Sequence, residues 1–219
     1  MAIRKERILY EDDTLLAVTK LGGELVVAGK GRMDKLPLLN FLKDDYPGIA
    51  PLHRLDFETS GVIVFAKRKG IVQKVIDSRF EGWRKIYLAL ALDPFEKPKG
   101  IIDSPLPARS GNGTVECQTK YAVKETFKGC CLVEAEIERG QFHQIRRHFA
   151  SIKHPLILDE EYGNKALNRL FTKEFKYSRF FLHASKVIMP HPITGAILTI
   201  ESPMPRQFTD VLDQLRKRN

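Results

Sequence analysis

The chain is poor in the features that would commit it to several large protein classes. It has 3 cysteines among 219 residues, Cys117, Cys130 and Cys131, and no C-x-x-C pair. An odd count with two adjacent members does not make a disulfide framework, and the missing pair removes the commonest zinc-ligand spacing. A reducing compartment and unpaired thiols are expected. No apolar run approaches the roughly 20 residues of a membrane-spanning helix. The opening MAIRKERILYEDD has a basic head with no apolar stretch behind it. No secretory signal is therefore expected, and the cytoplasm is the expected location. Neither a G-x-G-x-x-G nor a Walker loop is present, so no nucleotide cofactor is indicated. Repeats, low-complexity segments and Pro/Gly/Ser linkers are also missing, and the chain reads as one continuous domain from residue 6 to residue 219.

What the chain has in excess is positive charge. Lys and Arg number 36 against 27 Asp and Glu, a net +9. Such an excess attracts polyanions and steers their approach. Nucleic acid is the usual partner, with an acidic membrane or plain solubility as alternatives. A hydrophobic share of 43% is enough for a chain of this size to bury a core without metal or disulfide.

Short apolar runs recur between turn residues. Ile8 to Tyr10 and Leu15 to Val18 predict strands flanking an Asp12-Asp13 turn. Residues 34–46 carry Leu38, Leu39, Phe41 and Leu42 on a helical period that Pro47-Gly48 ends. Val62 to Ala66 is unbroken and apolar, as in a strand buried on both faces. Residues 71–80 place Ile71, Val72, Val75 and Ile76 on one side of a predicted helix, and 85–92 returns to strand. Leu132 to Glu138 alternates, with Val133, Ala135 and Ile137 inward and Glu134, Glu136 and Glu138 outward. Residues 143–153 switch to a helical period through Ile145, Phe149 and Ile152. Residues 181–189 and 196–201 predict a strand pair about the Pro192-Ile193-Thr194-Gly195 turn, and 207–215 a last helix. Strands outnumber helices and hairpin-length turns join most of them. The pattern predicts an α+β fold with a largely antiparallel sheet.

The densest polar cluster in an apolar setting runs from His53 through Arg54, Leu55, Asp56, Phe57, Glu58, Thr59 and Ser60 to Gly61, just ahead of the strand at Val62. Hydroxyls and a glycine here tie backbone around an acid, and loops set on buried strands are where sites are built. Capping the turn is the commoner use of such an aspartate. A second cluster, Arg139 to His148, spans a strand end, a glycine turn and a helix start. Arg146 lies off the apolar stripe and is placed to face a cleft, where a guanidinium opposite a carboxylate favours the ionised acid. The bland alternative makes Arg146, Arg147 and His148 a solvated face. Tyr87 lies in a strand, where tyrosine is usually core; beside a base pocket it stacks on a pyrimidine. Lys165, Arg169, Phe171, Lys173, Phe175, Lys176, Tyr177 and Arg179 mix cations with rings, which suits phosphate and base contacts. Without a ligand the same run is a solvated face.

Together these segments resemble the RluA-type pseudouridine synthases, in order along nearly the whole chain. ILYEDDTLLAVTK is similar to the family's opening strand pair. HRLDFETSGVIVFAK resembles the signature around its catalytic aspartate, and RKIYLALAL the segment bearing its tyrosine. HQIRRHFA, then HP and DEEYG, resembles the motif of its arginine, and FFLHASKVIMPHPITG the closing strand pair. The resemblance implies a single catalytic domain, with a mixed, mainly antiparallel sheet, flanking helices and a central cleft. It implies Asp56 as the catalytic carboxylate, Tyr87 stacked on the base and Arg146 paired with Asp56. Arg54 would fill the place of the displaced base, and Leu182 would line the uracil pocket. RNA contacts are expected from Gln141, His143, Lys165, Arg169, Lys173, Lys176 and Arg179. The implied reaction detaches uracil from C1′, turns it and rejoins it through C5, within ribosomal or transfer RNA. It involves no net redox change and so no cofactor or metal. A monomer without an N-terminal accessory RNA-binding domain is expected.

The chain departs from the family pattern at three points. Leu21-Gly22-Gly23 stands where Lys20 is usually followed by Pro-x-Gly, which is expected to loosen that turn. Gln141-Phe142 replaces Arg-Thr, and Leu158 replaces the glycine ahead of Asp159. Two other function classes fit the sequence less well. An RNA-binding or chaperone protein on the same scaffold is disfavoured by the intact set Asp56, Tyr87 and Arg146. A glycosidase or base-excision enzyme is disfavoured by the lack of a second catalytic carboxylate.

Overall fold

The protein, described here from a computed structural model, forms two compact units, Met1–Arg84 with Ala184–Pro203 and Lys85–His183 with Met204–Asn219. Residues 3–28, 36–92, 94–108 and 111–218 are described. In chain order the elements are β1 (Ile8–Glu11), β2 (Leu15–Lys20), α1 (Leu38–Leu42), β3 (Ala50–Pro51), β4 (Ser60–Ala66), α2 (Lys69–Asp77) and β5 (Arg84–Leu92). There follow β6 (Lys99–Ile102), β7 (Leu106–Pro107), β8 (Thr114–Val115), β9 (Thr119–Phe127), β10 (Cys130–Ile137) and α3 (Gln144–Ser151). The last are α4 (Lys165–Phe175), β11 (Leu182–Pro190), β12 (Ile197–Glu201) and α5 (Arg206–Arg216). The class is α+β, as the alternation of short apolar runs predicts.

In the first unit β2 pairs antiparallel with β1 and with β4, in registers such as Glu11↔Leu16 and Val18↔Ile63. β11 and β12 form the hairpin expected about Pro192 to Gly195. The unbroken run in β4 has a simple cause. Successive strand residues point to opposite faces, and both faces are covered. Val62, Val64 and Ala66 pack with Ile71, Val75 and Trp83. Ile63 and Phe65 pack with Leu38 and Leu42. At about 1.5–3 kcal/mol for each fully buried large side chain, this strand is a principal anchor for the loop that precedes it. α1 is shorter than the predicted 34–46. It begins after Pro37, whose extended backbone (φ −61°, ψ 152°) precedes the first turn, and residues 34 and 35 lie outside the described residues. α2 ends at Asp77 because Arg79 and Phe80 both adopt left-handed backbone. Ile76, within the helix, is exposed instead of sharing the buried side of Ile71 and Val75.

In the second unit β10 lies between β5 and β9, with Val133 opposite Ala89 and Val123, and β6 extends the ladder beyond β9. Val133, Ala135 and Ile137 are buried, as their alternation predicts. α4 separates the rings from the cations in the stretch Lys165 to Phe181. Residues 165–175 form a helix capped by the Asn164 side chain, which accepts from the Ala166 and Leu167 amides. Asn168, Phe171 and Phe175 share its inner face, and the two rings join a core with Phe181, Phe208 and Leu212. Phe171, Phe175 and Phe181 belong to the core and Tyr177 packs against it, while Lys165, Arg169, Lys173, Lys176 and Arg179 are exposed.

Candidate active site

Asp56 sits half-buried in the loop that feeds β4, with Arg54 exposed beside it and Leu55 turned into the core. The loop is fastened from both sides. His53 Nε2 accepts the Val64 amide at 3.1 Å, and the Thr59 amide donates to the Asp56 carbonyl at 3.2 Å. Beneath it lies Lys20, the last residue of β2. Its ammonium is fully buried and donates to the carbonyls of Leu21 (2.9 Å), Phe57 (2.9 Å) and Thr59 (2.6 Å). The adjoining turn also docks here. Gly23 donates its amide to the Phe57 carbonyl at 2.9 Å, and a Cβ on Gly22 would lie 2.9 Å from the Glu58 carbonyl oxygen. The turn expected to loosen without proline is closed: Glu24 returns its amide to the Leu21 carbonyl, and its carboxylate accepts the Leu21 amide and pairs with Arg7. Gly61, at the start of β4, has φ +116° and no room for a side chain, since a Cβ would come within 2.2 Å of the Ala184 carbonyl oxygen.

Burial pushes the Lys20 ammonium down to about 8, against the opposing pull of Glu24, Asp56 and Glu58. A buried cation is costly unless paired and hydrogen-bonded. Three carbonyls and these acidic neighbours meet that requirement, and in doing so they fix the backbone on the C-terminal side of Asp56.

In the second unit Arg146 occupies the first turn of α3. Its Nε and Nη2 donate as a fork to the two oxygens of Asp159 at 2.7 and 2.8 Å, and Nη2 also reaches Glu161 at 3.2 Å. The rings of Tyr162 and Phe180 lie 4.9 and 5.1 Å from the guanidinium carbon. The Asp159 side chain is wholly buried and also accepts the amides of Glu161 and Tyr162 at 3.0 Å each. Burial pushes this carboxyl up, but the Arg146 fork and the amides outweigh it and hold it below the ordinary aspartate range. His148 overturns the solvated-face alternative for its own position. It is fully buried, bonded to Thr119 Oγ1 at 2.8 Å and to the Ser104 carbonyl at 3.0 Å, and burial lowers its pKa. Tyr87 is buried on β5 opposite Ala135, and Leu182 is buried at the start of β11. Gln141 gives its amide to Gln144 Oε1 at 2.9 Å, which closes the turn into α3. His143 caps that helix in left-handed backbone, φ +53°.

Of the site residues that the sequence predicts, Arg54 and Asp56 belong to the first unit, and Tyr87, Arg146, Leu182, Gln141, His143 and the five cations of 165–179 to the second. Neither Lys20 nor Asp159 is among the motif residues given a chemical role. The signal for Lys20 is its phase: period two puts it on the face of Leu16 and Val18, where a lysine must find partners. Asp159 opens the DEEYG segment, whose Gly163 closes the turn: a Cβ there would meet the Asp159 carbonyl oxygen at 2.2 Å.

The family model for RNA pseudouridylate synthase matches residues 14–151, a stretch that contains the Lys20 strand, the Asp56 loop and Arg146. Ribosomal large subunit pseudouridine synthase C of Escherichia coli is 32% identical, covering 95% of this chain and 70% of that protein. The protein of the same name from Pasteurella multocida is 30% identical over 98% of this chain and 69% of its own length. The solved structure of human RNA Pseudouridylate Synthase Domain Containing 4 superposes with a TM-score of 0.79 at 25% identity, covering 96% of this chain and 93% of that one. A loop that clamps an aspartate ahead of a doubly buried strand, and an arginine forked onto a buried carboxylate, thus sit in segments shared with enzymes of one reaction, and the chain belongs to the RNA pseudouridylate synthase family, which isomerises uridine in RNA to pseudouridine.

Proposed function

We propose that Asp56 is the carboxylate that opens the N1–C1′ bond, and that the substrate is a uridine of ribosomal RNA. The anchoring of the Asp56 loop on the buried Lys20 ammonium supports the first part most directly. The names of the relatives, which refer to the large ribosomal subunit, support the second. The uridine leaves its stack at a cost of a few kcal/mol, and Arg54, Tyr87 and Leu182 offset that cost by occupying the vacated place, stacking on the base and walling the pocket. Asp56 then acts at the sugar, by bonding to C1′ or by taking a sugar proton. Departing uracil spreads its negative charge over two carbonyls, so it needs no second carboxylic acid of the kind a glycosidase uses on an alkoxide. The ring turns and C5 bonds to C1′, as the Asp56–C1′ bond breaks in the first route or the abstracted proton returns to the sugar in the second; the C5 proton is then lost and N1 takes one up. Arg146, held in place by Asp159, serves as a substrate-binding residue. The protein acts as a cytoplasmic monomer.

Asp56→Asn is the test. It is expected to lower the single-turnover rate on ribosomal RNA by about 10⁴-fold or more, the scale of losing a group that acts on the reacting atoms, while RNA affinity changes little. Full turnover by this variant would remove Asp56 from the chemistry. Pseudouridine maps of ribosomal and transfer RNA from cells with and without the protein identify the substrate, and an unchanged ribosomal map would reject the second part.

A further inference from the structure

Phe142 is the only exposed aromatic ring among the described residues, at 46% of its surface. It stands in the turn that enters α3, where the related motif has threonine. Its ring lies nearly parallel to the imidazole of His143, with centroids 3.7 Å apart and planes 22° from each other. That imidazole is fixed from behind. Tyr162 meets it edge-on at 5.7 Å and its hydroxyl lies 3.2 Å from Nδ1, while Glu161 lies 3.3 Å from the same nitrogen. The backbone at His143 is held in the left-handed region as the helix cap. The same Tyr162 and Glu161 contact Arg146.

From this geometry we infer that Phe142 and His143 form a stacking platform for an unpaired base of the RNA strand, close in the chain to Arg146. An aromatic face held in place loses little freedom when a base stacks on it, and every base has a face to offer. Exposing a phenylalanine to water opposes folding, and a ligand that covers the ring removes that cost. The flanking Arg139 and Arg147 supply positive charge for the phosphates on either side of the base. The occupant is nucleic acid rather than protein because the ring sits within this run of cations. The inference rests on RNA being the substrate, and it adds a contact outside the target uridine.

The probe is a short single-stranded oligouridylate carrying one central 2-aminopurine, whose fluorescence is quenched by stacking. Wild-type protein is expected to bind it with quenching. Phe142→Ala and Phe142→Thr are expected to bind about tenfold more weakly, within the range known for loss of one stacked base, and without quenching. Phe142→Tyr is expected to retain both. Circular dichroism melting establishes that each variant is folded. In pseudouridine formation the alanine variant raises KM and leaves kcat in place. Equal affinity and quenching in Phe142→Ala and wild type, or equal losses in the alanine and tyrosine variants, would overturn the platform. Failure of the wild-type protein to form pseudouridine at all would instead strike the assignment of activity, and the fluorescence readout separates the two.

Discussion

Lys20 and Asp159 are buried charges of opposite sign, and each is spent on presenting a residue that the motifs pick out. An unpaired ion in a protein interior costs several kcal/mol. Both are therefore surrounded by donors or acceptors, and those bonds stiffen what they touch: Lys20 the Phe57 to Thr59 backbone, Asp159 the guanidinium of Arg146. Lys20 also gives the site a pH limit. Its folded pKa, about 8, lies below its ordinary value. The buried charge therefore costs stability in full below about pH 8, and that cost is relieved as pH rises toward the unfolded value of about 10.4. Catalysis follows the opposite course, since the neutral amine has two protons for three carbonyls and no charge beside Asp56. The rate of pseudouridine formation is expected to fall above an apparent pKa of about 8. Lys85, buried and also lowered to about 8, titrates in the same range. Lys20→Met distinguishes them: it is expected to be slower, to lack the alkaline limb, and to lose ground in stability to the wild type as pH is raised through that window. Persistence of the limb in the variant would assign it to another group.

At the scale of elements, legibility followed covering. β4 could be read as doubly buried because nothing but apolar side chains suits a strand covered on both faces, and β10 as buried on one face because its glutamates alternate with apolar residues. α4 could not, because its inner face contains the amide of Asn168 as well as Phe171 and Phe175, and four basic residues lie between or beside them. The role of Asn168 is visible only in three dimensions: its side chain accepts the Leu158 amide at 2.9 Å and donates to the Asp159 carbonyl at 2.9 Å, tying the helix to the loop that holds Arg146. For the same reason Asp56 and Arg146 were legible as motif members, whereas the residues that hold them were not, since hydrogen bonding to distant backbone leaves no periodicity. The replacement of glycine by Leu158 makes this loop testable. Leu158 keeps left-handed backbone, φ +65°, and is buried among Phe171, Phe175 and Phe181. That conformation costs an ordinary residue roughly 1–2 kcal/mol, and packing of the leucine repays it. Leu158→Ala keeps the strain and leaves a cavity, a loss of about 2–5 kcal/mol. Leu158→Gly leaves the same cavity and releases the strain. In urea unfolding the glycine variant is expected to be the more stable of the two by about 1 kcal/mol, the reverse of the usual order in helices. Alanine above glycine would show that the backbone relaxes out of the left-handed region.

At the scale of the whole molecule the decisive quantity is the net charge of +9, because RNA affinity comes largely from phosphate neutralisation and the release of counterions. A general field and a defined contact surface both follow from that excess, and they behave differently in salt. Exposed charges further apart than about 10 Å are screened at 0.1 M ionic strength, so cations that never touch RNA contribute little to the salt slope. Each phosphate contact on a single strand contributes about −0.7 to the slope of log K against log salt. Lys165, Arg169 and Lys173 recur every fourth residue along the exposed side of α4 and make one stripe. Reversing all three to glutamate changes the net charge by −6, from +9 to +3. If each meets one phosphate, the slope should flatten by about 2 and affinity should fall at every salt concentration, while kcat at saturating RNA stays near that of the wild type. Reversal of Lys43, Lys74 and Lys217, which are also exposed, changes the net charge equally and is expected to leave the slope nearly intact. Equal slopes in the two triple variants would mean that the stripe contributes field alone, and the RNA-reading surface would have to be sought elsewhere on the protein.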